Sequence, residues 1–246
     1  MASGAPAVPE GLLKNRKRSE EEQLVKAAAA LEERKRQGKS KLSGDNFKRA
    51  EAFVTEYRAK DVDLHRLKKE AQLLRNGGFK IPSEKVMFAI RVAGIPPKLH
   101  PITRDILKEL RLWRMHSGVF LKVNSANISL LHLVAPYVAY GYPNVKSIKD
   151  LIYKRGCCNI NQGLTPLTSN EIVEEALGEH DIICLEDLVH EIQSVGPNFN
   201  TCVQFLWPFK LKSRPTTGVE GKMRTKKGNK KGNLEEKINN LIRSMT

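Results

Sequence analysis

A mixed α/β (α+β) protein is what this sequence predicts, built as a small two-layer sheet with helices on one face, a long helical N-terminal extension and a further helical lobe. Three observations predict it. Strand-like and helix-like segments alternate between residues 86 and 142, residues 20–75 are helical in pattern but poor in core-forming side chains, and the charge falls in blocks along the chain.

The sheet core begins after Asn76-Gly77-Gly78. Val86-Met87-Phe88-Ala89-Ile90-Arg91-Val92, flanked by Gly94 and Pro96-Pro97, suits a buried strand followed by a loop. Pro101 opens a helix expected to reach Trp113, in which Ile102, Ile106, Leu110 and Trp113 share one face and Arg104, Lys108 and Arg111 share the other. Val119 to Val123 reads as a second strand, Ala126 to Val134 as a helix and Tyr137 to Tyr142 as a third strand. Five alternating segments in so short a span give a two-layer sheet.

Either side of this core the helices continue. Ser19 with Glu22 resembles a capping box for a helix over Glu20 to Gln37, stopped at Gly38. A second helix is expected from Asp45 or Asn46 to Arg75, roughly 45 Å long at 1.5 Å per residue. Asp61 and Lys68 interrupt its thin apolar stripe, so it suits a surface of RNA or protein better than a self-associating coil. After the core come a helix near Ser147 to Lys154, a hairpin through Asn161-Gln162-Gly163, and helices near Asn170 to Leu177 and Leu185 to Ile192. Asn233 caps a last short helix whose Leu234, Ile238, Leu241, Ile242 and Met245 must dock on the body, since so short a helix is unstable alone.

Charge sorts these segments. The 246 residues carry 42 lysines and arginines against 27 aspartates and glutamates, a net +15 that calls for a polyanionic partner, nucleic acid first and an anionic membrane second. Residues 1–75 hold 18 basic and 12 acidic side chains, 76–155 hold 13 and 4, 156–207 hold none and 8, and 208–233 hold 9 and 1. Blocks of alternating sign imply one face for phosphate and another that avoids it. The resulting organisation is a basic helical extension at 1–78, a sheet core at 79–145, an acidic helical lobe packed on it at 146–207, a basic tail at 208–233 and a docking helix at 234–246. The tail has almost no apolar residues and needs a partner to order it.

Other functions find little support. The most apolar stretch, near Leu130 to Tyr142, is interrupted by His132 and Pro136, and the N-terminus lacks a signal-peptide core, so neither membrane insertion nor secretion is expected. His190-Glu191 would need a second histidine where Ser194 stands. His180-Asp181 has no nearby histidine except His190. Cys157-Cys158 lacks the gap with which two thiolates grip one zinc, and Cys184 and Cys202 stand apart, so buried or idle thiols in a reducing compartment fit better. No glycine loop for a nucleotide is present. Leu206-Trp207-Pro208-Phe209 and the tyrosines at 137, 140, 142 and 153 could stack on bases, but such clusters are more often core packing and are not counted as site residues.

Several strings carry a resemblance: Tyr137-Val138-Ala139-Tyr140-Gly141-Tyr142-Pro143-Asn144, Leu151-Ile152-Tyr153-Lys154-Arg155-Gly156, the run from Ile183 to Ile192, Phe205-Leu206-Trp207-Pro208-Phe209 and Ile238-Asn239-Asn240-Leu241-Ile242-Arg243. Together, from about Leu12 to the C-terminus, they resemble the L-thirty family of large-subunit ribosomal proteins in its eukaryotic form. The resemblance implies an L-thirty-like core at about residues 85–142 with the Pro101 helix facing RNA. It also implies a long N-terminal helix over rRNA, no catalytic residues, no cofactor, no small-molecule substrate, and neighbouring ribosomal proteins as partners. Its setting would be the cytoplasmic ribosome, with nucleolar transit during assembly. Ala135 before Pro136, where family members often carry glutamate, and the Cys157-Cys158 pair depart from the family pattern. Assembly factors of the same fold, binding precursor rRNA, share several of these strings. An RNA-modifying enzyme is the alternative from another class and lacks a matched acid, base, nucleophile or metal set.

Phosphate contacts are expected from Arg49, Arg58, Arg66 and Lys69 on the long helix, and from Lys98, Arg104, Lys108, Arg111 and Arg114 around the cationic stripe. Further contacts are expected from Lys122, Lys154 and Arg155 on the body and from Lys210, Lys212, Arg214, Arg224, Lys226, Lys227, Lys230 and Lys231 in the basic tail. Neutralising Z phosphates this way gives a salt slope of about −0.7Z to −0.9Z.

Overall fold

A computed structural model describes residues 10–36, 48–76, 85–94, 98–160, 163–212 and 231–246. Two 27-residue helices, α1 (Glu10–Arg36) and α2 (Ala50–Asn76), precede the sheet. The alternation then runs β1 (Val86–Arg91), α3 (Pro101–Glu109), β2 (Ser117–Lys122), α4 (Ser125–Leu133) and β3 (Val138–Gly141). It is followed by α5 (Val145–Arg155), the hairpin β4 (Cys157–Ile160) and β5 (Gly163–Pro166), α6 (Glu171–Leu177), α7 (Leu185–Ser194), α8 (Phe199–Phe205) and β6 (Phe209–Lys210). Beyond the basic stretch lie β7 (Gly232–Asn233) and α9 (Ile238–Met245).

The five-stranded sheet has the order β6-β2-β1-β3-β7. β1 sits at its centre, antiparallel to β2 with Phe88 opposite Phe120, and antiparallel to β3 with Ile90 opposite Ala139. Because side chains alternate across a strand, β1 feeds two cores. Phe88, Ile90 and Val92 join Phe120, Leu151, Leu188, Phe199 and Ile242 on the face covered by α5, α7, α8 and α9. Met87 and Ala89 join Val119, Val138, Leu107 and Leu131 on the face covered by α3 and α4. Thus the two helices of the alternating core lie on one face, while the helical lobe closes the other. The rings of Phe88, Phe120 and Phe209 meet with centroids 4.9–6.1 Å apart, and a Cβ at Gly118 would collide with the Phe88 ring, which is why that strand position is glycine.

Caps fix where helices begin. His100 Nδ1 accepts from the Ile102 amide at 3.3 Å ahead of Pro101, and Asn144 Oδ1 accepts from the Ser147 amide at 2.8 Å. At α7 the amide of Cys184 donates to Asp187 Oδ2 at 3.1 Å while the Asp187 amide donates to Cys184 Sγ, a reciprocal box with sulfur in the usual hydroxyl's place.

Several expected boundaries move. α1 begins at Glu10, so Ser19 lies inside the helix and its Oγ accepts from Gln23 Nε2 instead of capping. Apart from Asn15, residues 12–18 are good helix formers, and Leu13 packs against the first core, which rewards the earlier start. The expected start of α2 at Asp45 or Asn46 lies outside the described residues. α3 ends at Glu109 rather than Trp113, leaving Ile102 half exposed and Arg111 in a left-handed turn at φ 58°. Asn233 belongs to β7, yet its Oδ1 accepts from the Glu235 amide at 3.0 Å, starting a 3-10 turn that leads into α9. The described ends of the basic stretch join opposite edges of the sheet, through β6 before it and β7 after it, and residues 213–230 lie outside the described residues. β6, β7 and α8 had no counterpart among the expected elements, and strands of two residues carry no periodicity to read.

α2 meets the body at a buried carboxylate, one turn before the buried Leu67. Asp63, 3% exposed, accepts from Thr103 Oγ1 at 2.6 Å, the His100 amide at 3.2 Å, Tyr137 Oη at 3.0 Å and Arg66 at 2.6 Å, while Arg66 also donates to the Leu133 carbonyl. Burial pushes the Asp63 pKa up, but these donors outweigh it and hold the carboxyl below its ordinary value. The sign follows: a depressed folded pKa contributes stability that is complete above the unfolded value of about 3.9 and disappears as pH falls through the folded one. Asp63→Ala is expected to lower stability by roughly 2–3 kcal/mol by orphaning Thr103, Tyr137 and the His100 amide, read as a lower denaturation midpoint and earlier proteolysis within α2. The wild-type contact should persist at pH 5 and loosen only in stronger acid, whereas the variant should lose that acid dependence.

Candidate nucleic-acid interface

The turn after α3 is shaped by two arginines. Arg91, at the end of β1 and 3% exposed, donates to the carbonyls of Leu112 at 3.1 Å, Trp113 at 2.7 Å and Gly94 at 2.7 Å. Arg111 donates to Val203 O at 2.7 Å and Leu206 O at 2.8 Å, tying this turn to the end of α8. Burial lowers the pKa of both guanidiniums, which stay charged because their ordinary value is so high. A left-handed arginine costs about 1–2 kcal/mol, and two charge-assisted bonds offset it.

The turn and the chain after α8 form one wall of a groove of about 570 Å³, whose other side comes from α1 and the end of α5. Six cations line it, Arg16, Arg114, Lys154, Arg155, Lys210 and Lys212, against the one carboxylate of Glu20. Trp113, Met115, Leu164 and Trp207 lie among them. The two indoles pack edge to face, centroids 5.8 Å apart at 81°. The Trp207 amide donates to Cys157 O at 2.8 Å, so the strap bearing it is stitched to β4.

The cations are not equivalent. Arg16 donates to the carbonyls of Tyr153 at 2.9 Å and of Ile152 and Gly156, fastening α1 to the end of α5, and its pKa is lowered chiefly by burial. Arg155 donates through Nε and Nη2 to Thr246 O at 3.2 and 2.9 Å, closing the C-terminal helix onto the body. Lys154 pairs with Asp150 at 3.0 Å. Arg114, Lys210 and Lys212 are exposed, with no ion pair among the described residues.

Of the residues expected to meet phosphate, Arg114, Lys154, Arg155, Lys210 and Lys212 come together in this groove. Lys98, Arg104 and Lys108 are exposed at and along α3, Lys108 in a solvent-facing pair with Asp105 at 3.2 Å. Arg49, Arg58 and Lys69 are exposed at the start of α2 and along it, Lys122 is half-buried, and Lys231 is exposed beside β7. Two expectations are corrected. Arg111 does not continue the Arg104 and Lys108 stripe, because α3 has already ended and its guanidinium is spent on two carbonyls. Arg66 is likewise engaged by Asp63 and Leu133. Arg214, Arg224, Lys226, Lys227 and Lys230 lie outside the described residues. Arg16, Trp113 and Trp207 were not among the expected site residues. The spacing of Leu13, Arg16 and Glu20, which falls on one helical face, was the available signal for the first.

The cysteines are not poised as nucleophiles. Burial pushes the thiols of Cys158 and Cys202 up to about 11 and about 12 and raises those of Cys157 and Cys184, so none is a ready thiolate at neutral pH. Among the described residues no three His, Cys, Asp or Glu side chains are grouped to hold a metal, and no helix is long and apolar enough to cross a membrane.

The fold and groove define a class: a small α/β protein with a cationic, aromatic-lined face and helical additions at both ends. Comparison with known proteins agrees. Residues 8–83 match the ribosomal L30 N-terminal domain and residues 87–138 match ribosomal protein L30p/L7e. The large ribosomal subunit protein uL30 of Caenorhabditis elegans is 46% identical, with the match covering 98% of this chain and 97% of that one. Its counterpart in Yarrowia lipolytica is 45% identical over 96% and 94% of the two chains, and the one in Drosophila melanogaster 40% identical over 99% and 96%. The chain belongs to the ribosomal L30 family. Its relatives bear the name of a ribosomal subunit protein and of no enzyme.

The brace role of Arg111 is testable apart from any ligand. Arg111→Ala should cost roughly 1–3 kcal/mol by leaving the Val203 and Leu206 carbonyls without donors. Lys108→Ala, on the exposed face of α3, should stay within about 0.5 kcal/mol of wild type in the same denaturant titration.

Proposed function

We propose that this chain is a structural constituent of the large ribosomal subunit that binds folded rRNA through phosphate contacts and catalyses nothing. The observation that carries the proposal is the groove, where cations from α1, the turn after α3, α5 and the β6 strap converge around a common recess. Cations gathered from distant parts of the chain suit a ligand whose charge is dense and continuous, and phosphate contacts of this kind position a protein without reading sequence. The exposed Lys98, Arg104 and Lys108 extend the cationic surface along α3. Residues 156–207, with 8 acidic side chains and no lysine or arginine, suit neighbouring ribosomal proteins better than phosphate. The site of action is the ribosome in the cytoplasm, reached by assembly in the nucleolus.

Replacing Arg114, Lys210 and Lys212 together by glutamine should flatten the slope of log K against log salt by about 2–3 for a large-subunit rRNA fragment. An unchanged slope would place the phosphate face elsewhere. In sucrose gradients the tagged chain should sediment with mature large subunits and with translating ribosomes. Confinement to precursor particles would make it an assembly factor instead.

A further inference from the structure

The groove contains more than charge. Trp113, Met115 and Leu164 are 39%, 41% and 59% exposed in or beside it, and a duplex would make no use of them, because its bases are stacked inside and its rim is phosphate and sugar. Exposed apolar side chains gathered within a ring of cations mark a ligand that is itself half apolar and half anionic. A single nucleotide is such a ligand. The recess, at about 570 Å³, falls within the roughly 300–1,000 Å³ range of pockets that enclose small ligands. A rod-like double helix would rest across its mouth.

The platform is also held in place before any ligand arrives. Arg91 fixes the main chain at Trp113, the Cys157 carbonyl fixes it at Trp207, and Arg111 joins the two segments by gripping Leu206, the residue before Trp207. An edge-to-face pair leaves at least one indole face uncovered by its partner. Such preorganisation removes part of the ordering cost of binding.

We infer that the groove receives an unpaired nucleotide of the RNA, its base against Trp113 and Trp207 and its flanking phosphates against Arg114, Lys210 and Lys212. This rests on the RNA-binding reading above and narrows it from RNA in general to a looped-out or single-stranded segment. Aromatic stacking serves any base, so the site would be indifferent to sequence.

The experiment uses the full chain and two RNA probes of one sequence, a 12-nucleotide single strand carrying a central 2-aminopurine and the corresponding duplex, titrated at low salt. The single strand should quench tryptophan fluorescence and change the 2-aminopurine signal. Trp113→Ala, at an exposed side chain whose loss the fold should tolerate, should weaken single-strand binding on the order of ten-fold while leaving duplex binding and the salt slope unchanged. Trp113→Phe should retain most of the affinity, and Trp207→Ala should repeat the loss if its melting temperature shows it folded. Equal losses for strand and duplex, or no loss for the strand, would overturn the inference while leaving phosphate binding intact. Absence of binding to either probe would overturn the RNA-binding reading and this one with it.

Discussion

Covering both faces of β1 is the constraint on which the remainder of the architecture depends. Phe88 and Ile90 are fully buried on one side, and Ala89 fully and Met87 almost fully on the other, so neither face can be left to water. Each large side chain so buried contributes about 1.5–3 kcal/mol. Two short helices suffice for one face. The other requires α5, α7, α8 and α9, and these are drawn from more than a hundred residues of sequence. The C-terminal helix is part of this cover, with Ile238 and Ile242 fully buried. Asn239 secures it, accepting from the Asn144 amide and Ser147 Oγ and donating to Tyr142 O.

A second principle shapes the surface. Arg16, Arg66, Arg91, Arg111 and Arg155 all donate to main-chain carbonyls, mostly at helix ends and turns. A planar guanidinium spreads its donors over a rigid fork that grips two or three such acceptors at once, where a lysine ammonium is a single point on a flexible stem. Net charge therefore overstates the capacity to meet phosphate, because part of the positive charge works as internal mortar. Arg114 and the exposed lysines and arginines along the helices are left to face outward.

This division explains what could be read from the sequence. The alternation of β1, α3, β2, α4 and β3 was legible because each segment is long enough to show its period, and the apolar run from Val86 to Ile90 already suited a buried strand. The family likeness and the presence of a cationic face were legible for a similar reason, as both are written in contiguous residues. The groove was not. Its parts come from α1, the turn after α3, α5 and the β6 strap, and only the chain's return past β2 brings them together. Arg111 was misjudged because helical spacing was extended past Glu109, where neither glycine nor proline announces the stop. Trp207 was set aside as core packing, which holds for Leu206, Pro208 and Phe209 beside it. Its own side chain, with Pro208 beside it, lines the groove.

The placement of β6 and β7 on opposite margins of the sheet has a consequence for the chain between them. Four strand spacings separate the two, about 19 Å at 4.8 Å each, so the described ends on either side of residues 213–230 are held at opposite edges of the sheet. Cutting the chain between β6 and β7 would not by itself release the final sixteen residues, since α9 would remain seated by its buried isoleucines, and the protein would persist as two pieces that fold as one.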